Sequence, residues 1–408
     1  MTMNMNLAER LPVEMSSLNR KAHGAQQPRH IEGIGEGAST AQRGGHAAQS
    51  SRKTLLVMAG GTGGHIFPAL AVADVLRAQG WRVVWLGNPN GMEAKLVPAR
   101  GYECAWVEFA AVRGKGVMRK LMLPVNLLRA CLAARRVIKT VRPDVVLGMG
   151  GYITFPGGVM ARLAGVPLVV HEQNAVAGLA NKVLSHIASR VLTGFPDTLP
   201  TGEWVGNPVR AEIAGLPVPE QRYAGRADGE PLHVLVVGGS LGAQALNDAM
   251  PKAVTRMLAE QRPSVRHQTG PRDLAAVQAA YAASGIDADV QPFIDDMAAA
   301  LAWADLVVCR SGALTVAELA AAGVASVLIP FPHAVDDHQR VNAEFLVRGH
   351  QGQAAGCCVI QRELTVDGLA ALLLQTRTAL CEQAVAARAL ARAEAAQTVA
   401  TICEELAA

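Results

Sequence analysis

The chain has 408 residues, half of them hydrophobic, and a formal net charge of +4. That length is enough for two domains with substantial cores, and so small a charge gives no reason to expect a nucleic-acid partner. No uninterrupted apolar run reaches the roughly 18–20 residues of a membrane span, and the seven cysteines lack C-x-x-C or zinc spacing, which fits a reducing cytoplasm.

Residues 1–51 contain no Phe, Tyr or Trp and are rich in Gly, Ala, Ser, Gln and Arg. They bury too little apolar surface to offset ordering entropy, so a disordered N-terminal extension without a signal-peptide core is expected. The apolar run Thr54–Met58 then predicts a strand. It leads into Ala59-Gly60-Gly61-Thr62-Gly63-Gly64-His65, and residues 67–79 have helical spacing. In such a strand–glycine–helix turn no Cβ blocks a ligand's approach to the backbone. The helix start behind it offers free N–H groups and a positive dipole end. The turn has neither a clean G-x-G-x-x-G fingerprint nor the Gly-Lys-Ser/Thr ending of a P-loop, so a nicotinamide or ATP site is not favoured. His65 is the one side chain there able to move a proton near neutral pH.

Further strands are expected near 82–87, 104–108, 144–147, 168–171 and 190–193, with helices near 124–141, 156–165 and 178–188. Between Glu108 and Asp144 there is no acid. That interval holds Arg113, Lys115, Arg119, Lys120, Arg129, Arg135, Arg136, Lys139 and Arg142, interleaved with the apolar run Leu121–Leu128. Two readings fit: a solvated helix with its apolar face inward, or a basic rim around exposed apolar side chains on an anionic membrane surface. A second glycine turn, Gly148-Met149-Gly150-Gly151-Tyr152, and the polar run His171-Glu172-Gln173-Asn174 each follow a strand. Ligands of open α/β sheets collect at such carboxyl ends.

A hinge is expected after Val205-Gly206-Asn207-Pro208-Val209-Arg210, and the Pro- and Gly-rich stretch 217–231 reads as a loop. The strand pattern then restarts near 232–237, and Gly238-Gly239-Ser240-Leu241-Gly242-Ala243 repeats the strand–glycine–helix design. The repeat suggests two related α/β domains. Strands near 264–268, 288–291, 305–308, 325–329 and 355–359 alternate with helices near 243–261, 271–284, 296–303, 314–322, 337–349 and 365–376. In Cys309 to Glu318, Ser311 is a plausible helix cap, with N–H groups behind it for a diphosphate. Glu318, about one turn in, suits a ribose diol or simple dipole compensation. His333, Asp336, Asp337 and His338 repeat no metal-ligand spacing, and no metal is expected. Gln339 and Asn342, as neutral amides, suit sugar hydroxyls. The tail from Leu380 to Leu406 reads as an exposed alanine-rich helix able to return to the first domain.

Taken together, these segments resemble the MurG family, in order from about residue 53 to the C-terminus. The resemblance rests on Gly60–Pro68, Gly148–Tyr152, His171–Asn174, Val205–Arg210, Gly238–Ala243, Phe293-Ile294-Asp295-Asp296-Met297, Arg310–Glu318 and Gln339–Asn342. It implies the GT-B fold: two Rossmann-like α/β domains with parallel sheets facing across a cleft. Residues 52–209 would be the acceptor and membrane domain, 210–385 the donor domain, and 386–408 a helix returning to the first.

The activity implied is transfer of N-acetylglucosamine from UDP-N-acetylglucosamine to undecaprenyl-pyrophosphoryl-N-acetylmuramoyl-pentapeptide. The anomeric centre inverts, at the cytoplasmic face of the cell membrane, with no cofactor required. By position, Ile294 would meet uracil through its backbone, Glu318 the ribose, and Ser240 with Ala313, Leu314 and Thr315 the diphosphate. Val316 and Ala317 belong to the same binding run. Gln339 would read the sugar, and Arg210, Asn174, Thr62, Gly63 and Gly64 would complete the pocket. His65 is the candidate general base, with orientation of the acceptor as its alternative role. The resemblance also tips the 113–142 segment towards the membrane reading.

Two departures from the family pattern stand out: Ile153-Thr154-Phe155 is bulky for its place beside the acceptor, and Leu241 stands where glutamine is frequent. Two rival functions share the architecture. A UDP-N-acetylglucosamine 2-epimerase would form an isomer without acceptor; a non-catalytic sugar-nucleotide module would bind without turnover.

Overall fold

The first apolar run forms strand β1 (Thr54–Ala59), buried along its whole length, in a computed structural model that describes residues 52–109, 122–227 and 229–408. Leu55, Val57 and Ala59 point into one core and Leu56 and Met58 into another. A strand buried on both faces belongs in a parallel sheet between two helical layers. After β1 come α1 (Gly63–Ala78), β2 (Arg82–Gly87), α2 (Glu93–Ala99), β3 (Glu103–Trp106) and α3 (Leu123–Val141). Then follow β4 (Val145–Gly150), α4 (Thr154–Leu163), β5 (Leu168–Glu172), α5 (Leu179–Leu184), β6 (Arg190–Thr193) and β7 (Glu203–Trp204). The strands pair in the parallel order β3-β2-β1-β4-β5-β6-β7. Strand order therefore reverses between β1 and β4, and the two glycine turns end side by side there. They touch backbone to backbone: a Cβ on Gly151 (φ +89) would collide with the Gly60 carbonyl.

The second domain runs α6 (Ala211–Ala214), α7 (Pro219–Ala224), β8 (His233–Val237), α8 (Gln244–Arg256), β9 (Ser264–Gln268), α9 (Leu274–Ala283), β10 (Ala288–Gln291) and α10 (Met297–Trp303). It continues with β11 (Leu306–Cys309), α11 (Ala313–Ala322), β12 (Ala325–Leu328), α12 (His338–Arg348), β13 (Gly356–Cys358), α13 (Val366–Leu372), α14 (Arg377–Ala389) and α15 (Ala395–Leu406). Its parallel sheet has the order β10-β9-β8-β11-β12-β13, with its own reversal between β8 and β11. Both domains are Rossmann-like, as expected.

Several local expectations change. The 217–231 stretch is not all loop: Pro219 opens α7 and Gly225 ends it, the positions each residue favours. The tail is two helices, broken at 390–394. There Arg392 stacks on Trp204, 4.1 Å from its ring centroid, and packs against Gly206. Beyond the break α15 leaves the second domain, and Val399, Ala400, Ile402 and Cys403 enter the core of the first beside α1. Ile153 and Thr154 point inward and not towards an acceptor: both are fully buried, and Thr154 Oγ1 donates to the carbonyls of Gly150 (2.8 Å) and Met58 (3.2 Å).

Helix α3 has one apolar face packed inward and other apolar side chains exposed. Ala130, Ala134 and Ile138 pack inward, while Val125, Leu128 and Leu132 stand exposed among Arg129, Arg135, Arg136 and Lys139. The expected extension at 1–51 and the basic residues Arg113, Lys115, Arg119 and Lys120 lie outside the described residues. Among the described residues no helix is long and apolar enough to cross a membrane.

Candidate active site

At the first reversal point, Thr62 is an exposed residue in extended conformation at the start of α1, and its side chain makes no cap bond. The helix ladder begins with the His65 and Ile66 N–H groups, which donate to the Thr62 carbonyl at 3.1 and 3.2 Å. The N–H groups of Gly63 and Gly64 lie ahead of it, the place where a helix leaves donors unfilled. From beneath, Glu93 shapes the turn. Its carboxylate, with 1% of the residue exposed, accepts the Gly61 and Asn88 N–H groups, each at 3.0 Å. No sequence signal marks Glu93, an ordinary acid opening a short helix.

The half-buried His65 ring lies against Gly150, where a Cβ would stand 2.7 Å from Nδ1. His65 Nδ1 is 2.7 Å from Gln173 Oε1. Gln173 Nε2 in turn reaches His171 Nδ1 (3.0 Å) and donates to the His171 carbonyl (2.9 Å). His171 Nε2 meets the Gly206 carbonyl at 2.9 Å, on the segment that joins the domains. Full burial pushes the His171 imidazole down to about 4, so it is neutral at pH 7. Glu172 organises its own loop, accepting from the N–H groups of Asn174 and Gly178 and from Asn181 Nδ2.

Asn174 stands where the domains touch. Asn342, fully buried on α12, accepts the Ala175 N–H at 2.8 Å, and its Nδ2 donates to Asn174 Oδ1 (3.3 Å) and to the Ser311 carbonyl (3.2 Å). With both ends of the amide committed, Asn342 is not the free sugar reader its sequence suggested; it clamps one domain to the other. Ser311 is not a helix cap either. Gly312 holds that position, and Ser311 Oγ donates to the Gln339 carbonyl at 2.7 Å.

On the second domain, the α11 ladder begins with the Val316 N–H, which donates to the Gly312 carbonyl at 3.0 Å. The N–H groups of Ala313, Leu314 and Thr315 precede it. Val316 points its side chain into the core, Ala317 is half-buried, and Glu318 is 8% exposed. Glu318 Oε1 accepts both Arg210 Nη2 (2.8 Å) and Nε (3.2 Å). Burial pushes the Glu318 carboxyl up from its usual range, and the Arg210 charge beside it pulls the other way. Gln339 Oε1 accepts the Phe331 N–H at 2.9 Å. Arg310 is consumed by the carbonyls of Ile329 and Pro330 and by Gln361.

Ser240 is exposed on its turn. Beside it Gln268, which the sequence reading did not single out, joins two loops. Its Oε1 accepts the Ile294 N–H at 3.0 Å, and its Nε2 donates to the Gly239 carbonyl at 2.9 Å. A cavity of about 1030 Å³ opens between α1, the 209–215 segment, Asp295 to Ala298 and the start of α15. Arg210 lines it; His65, Asn174, Ser240 and Glu318 do not. Among the described residues no cluster of three or more His, Cys, Asp or Glu is placed to hold a metal ion, the 333–338 loop included.

Residues 55–193 match the glycosyltransferase family 28 N-terminal domain and residues 233–402 its C-terminal domain. Two curated relatives carry the name UDP-N-acetylglucosamine--N-acetylmuramyl-(pentapeptide) pyrophosphoryl-undecaprenol N-acetylglucosamine transferase. The one from Dechloromonas aromatica is 59% identical over 355 residues, 87% of this chain and 99% of the relative. The one from an Azoarcus species is 61% identical over 356 residues, 87% of this chain and 98% of the relative. Among solved structures, MurG of Acinetobacter baumannii is 42% identical with a TM-score of 0.75, covering 86% of this chain and 99% of that one. The kitacinnamycin glycosyltransferase, 18% identical with a TM-score of 0.67 over 88% of this chain and all of that one, shares the fold.

Proposed function

The chain belongs to the MurG family of GT-B glycosyltransferases, and on that premise we propose the following reaction. It transfers N-acetylglucosamine from UDP-N-acetylglucosamine to undecaprenyl-pyrophosphoryl-N-acetylmuramoyl-pentapeptide, inverting the anomeric centre. One observation carries the reading. Asn342 ties the loop after β5 to the residue before α11 across the domain boundary, its amide holding Asn174 and Ala175 on one side and Ser311 on the other, and His65 at the start of α1 reaches the same loop through Gln173. Two helix N-termini on opposite walls of one cleft can each receive a diphosphate, one from the acceptor and one from the donor.

In this reading residues 52–209 bind acceptor and membrane, 210–385 bind the donor, and 386–408 bring the chain back to the first domain. Ile294 meets uracil, Glu318 the ribose hydroxyls, and Gln339 the sugar. Asn174, Thr62, Gly63 and Gly64 form the facing wall. His65 takes the proton from the acceptor hydroxyl as its oxygen bonds to the anomeric carbon. The bond from that carbon to the UDP oxygen breaks, and the negative charge released on the diphosphate faces Ser240, Arg210 and the N–H groups of Ala313 to Thr315. The exposed Val125, Leu128 and Leu132, ringed by cations on α3, would rest on an anionic membrane surface at the cytoplasmic face.

The test is transfer of radiolabelled sugar from UDP-N-acetylglucosamine to a lipid-linked muramoyl acceptor. Label in the lipid fraction, dependent on acceptor, is the expected result. An isomerised donor formed without acceptor would point to an epimerase, and donor binding without either product to a binding module.

A further inference from the structure

Two main-chain carbonyls determine the direction of every hydrogen bond in the His65–Gln173–His171 chain. The Gly206 carbonyl can only accept, so His171 Nε2, 2.9 Å away, carries a proton. Neutral His171 then has a bare Nδ1. Gln173 places one end of its amide 3.0 Å from that nitrogen and 2.9 Å from the His171 carbonyl. Both neighbours are acceptors, so that end is the NH2 group; the reversed amide would set oxygen against two lone pairs. Gln173 Oε1 therefore faces His65 at 2.7 Å and can only accept. Gln173 is 1% exposed and His171 has no exposed surface, so water does not offer alternative partners.

We infer that Gln173 and His171 are positioning residues that hold neutral His65 in the Nδ1–H form, leaving Nε2 as its only basic nitrogen. Burial of His171 supports the chain, since an imidazolium there would present a proton to Gln173 and reverse it. Gly150 contributes by its lack of a side chain, because a Cβ would lie 2.7 Å from the His65 ring and displace it. The inference deepens the proposed role of His65 as general base and borrows its catalytic consequence from that role. The proton placement itself stands on the hydrogen bonds.

The test is long-range proton–nitrogen correlation on the full chain labelled with 15N-histidine, with His65 assigned from the signals lost in His65→Gln. The expected wild-type pattern is Nδ1–H at His65 and Nε2–H at His171. An Nε2–H pattern at His65 in the wild type overturns the inference, whatever the variants do. In Gln173→Met, which keeps volume but neither accepts nor donates strongly, His65 is expected to move to the Nε2–H form. The turnover number should fall by about 10²-fold, the lower end of what a positioned base contributes, while the KM for UDP-N-acetylglucosamine stays within about twofold. An unchanged tautomer in Gln173→Met overturns the role of Gln173. Full turnover in His65→Ala removes the base reading instead, and leaves the tautomer measurement to stand or fall alone.

Discussion

Glu318 keeps 8% of its surface exposed and has one strong partner, Arg210, whose side chain is a third exposed. Its carboxyl is pushed up by burial, so its ionised form is a burden to the fold at neutral pH. A raised carboxyl contributes stability below its unfolded value, and that contribution is lost as pH rises through its folded value. Glu318→Gln removes the buried charge and leaves Arg210 free to turn to solvent. Thermal unfolding at pH 7 should be unchanged or shifted upward. The KM for UDP-N-acetylglucosamine should rise about 10- to 100-fold if the carboxylate accepts from a ribose diol, since hydrogen bonds to a charged group contribute roughly 1.5–3 kcal/mol. A lower melting temperature with an unchanged KM would reduce Glu318 to a structural acid. The sequence shows which loops can meet a ligand, because strand, glycines and helix start are local. It does not show which polar side chains the fold has already used. Asn342, Ser311 and Arg310 look free in the sequence and are bound in the structure, while Gln268 and Glu93 carry no local signal and Gln173 stands in a marked polar run that does not tell its role. Their partners lie on other elements, and no periodicity records that.

At the level of elements, periodicity gave β2, β6, β9 and β10 to the residue and most helices within a few positions. The short helices α2, α6 and α7 were not expected, because so few turns show little period. The tail break was lost because nothing in the alanine-rich sequence forbids helix at 390–394; contacts of Arg392 with Trp204 and Gly206 decide it. That break matters, since it lets α15 complete the core of a domain that the rest of the chain left about 190 residues earlier. Ile402 is 5% exposed within that core. Ile402→Ala should cost the first domain roughly 2–5 kcal/mol, transfer and cavity terms together. Hydrogen exchange would read it. Amides of α1 and β1 should lose protection while those of β8 and β11 keep theirs. Equal loss in both domains would show that they unfold as one unit and that α15 does not act on the first alone.

Among the described residues each domain has one histidine with no exposed surface, and it must stay neutral. His171 lies at the junction beside Gly206; His267 lies in the second domain, with Nδ1 3.1 Å from the Tyr281 hydroxyl and Nε2 3.1 Å from Asn247 Oδ1. Burial pushes both imidazoles down to about 4. The sign follows directly. Below the unfolded value of about 6.5 the unfolded chain takes up protons that the folded chain refuses, so stability falls as pH drops from about 6.5 towards 4. At about 1.4 kcal/mol per pH unit of displacement, each histidine withdraws roughly 3 kcal/mol by the bottom of that window, a large part of a typical domain's 5–15 kcal/mol. Glu318 acts in the opposite sense and regains stability in acid, but only near and below its own raised range. The whole molecule should therefore weaken in mild acid at both domains together, before most carboxylates titrate. Denaturant melts between pH 7 and 4.5 measure this. In His267→Gln the side chain can still bond Asn247 or Tyr281 but binds no proton, so the second domain's slope should flatten over that range while the first domain's remains. A wild type with flat stability down to pH 4.5, or an unchanged slope in His267→Gln, would mean that water reaches these rings in solution and that neither is held neutral by burial.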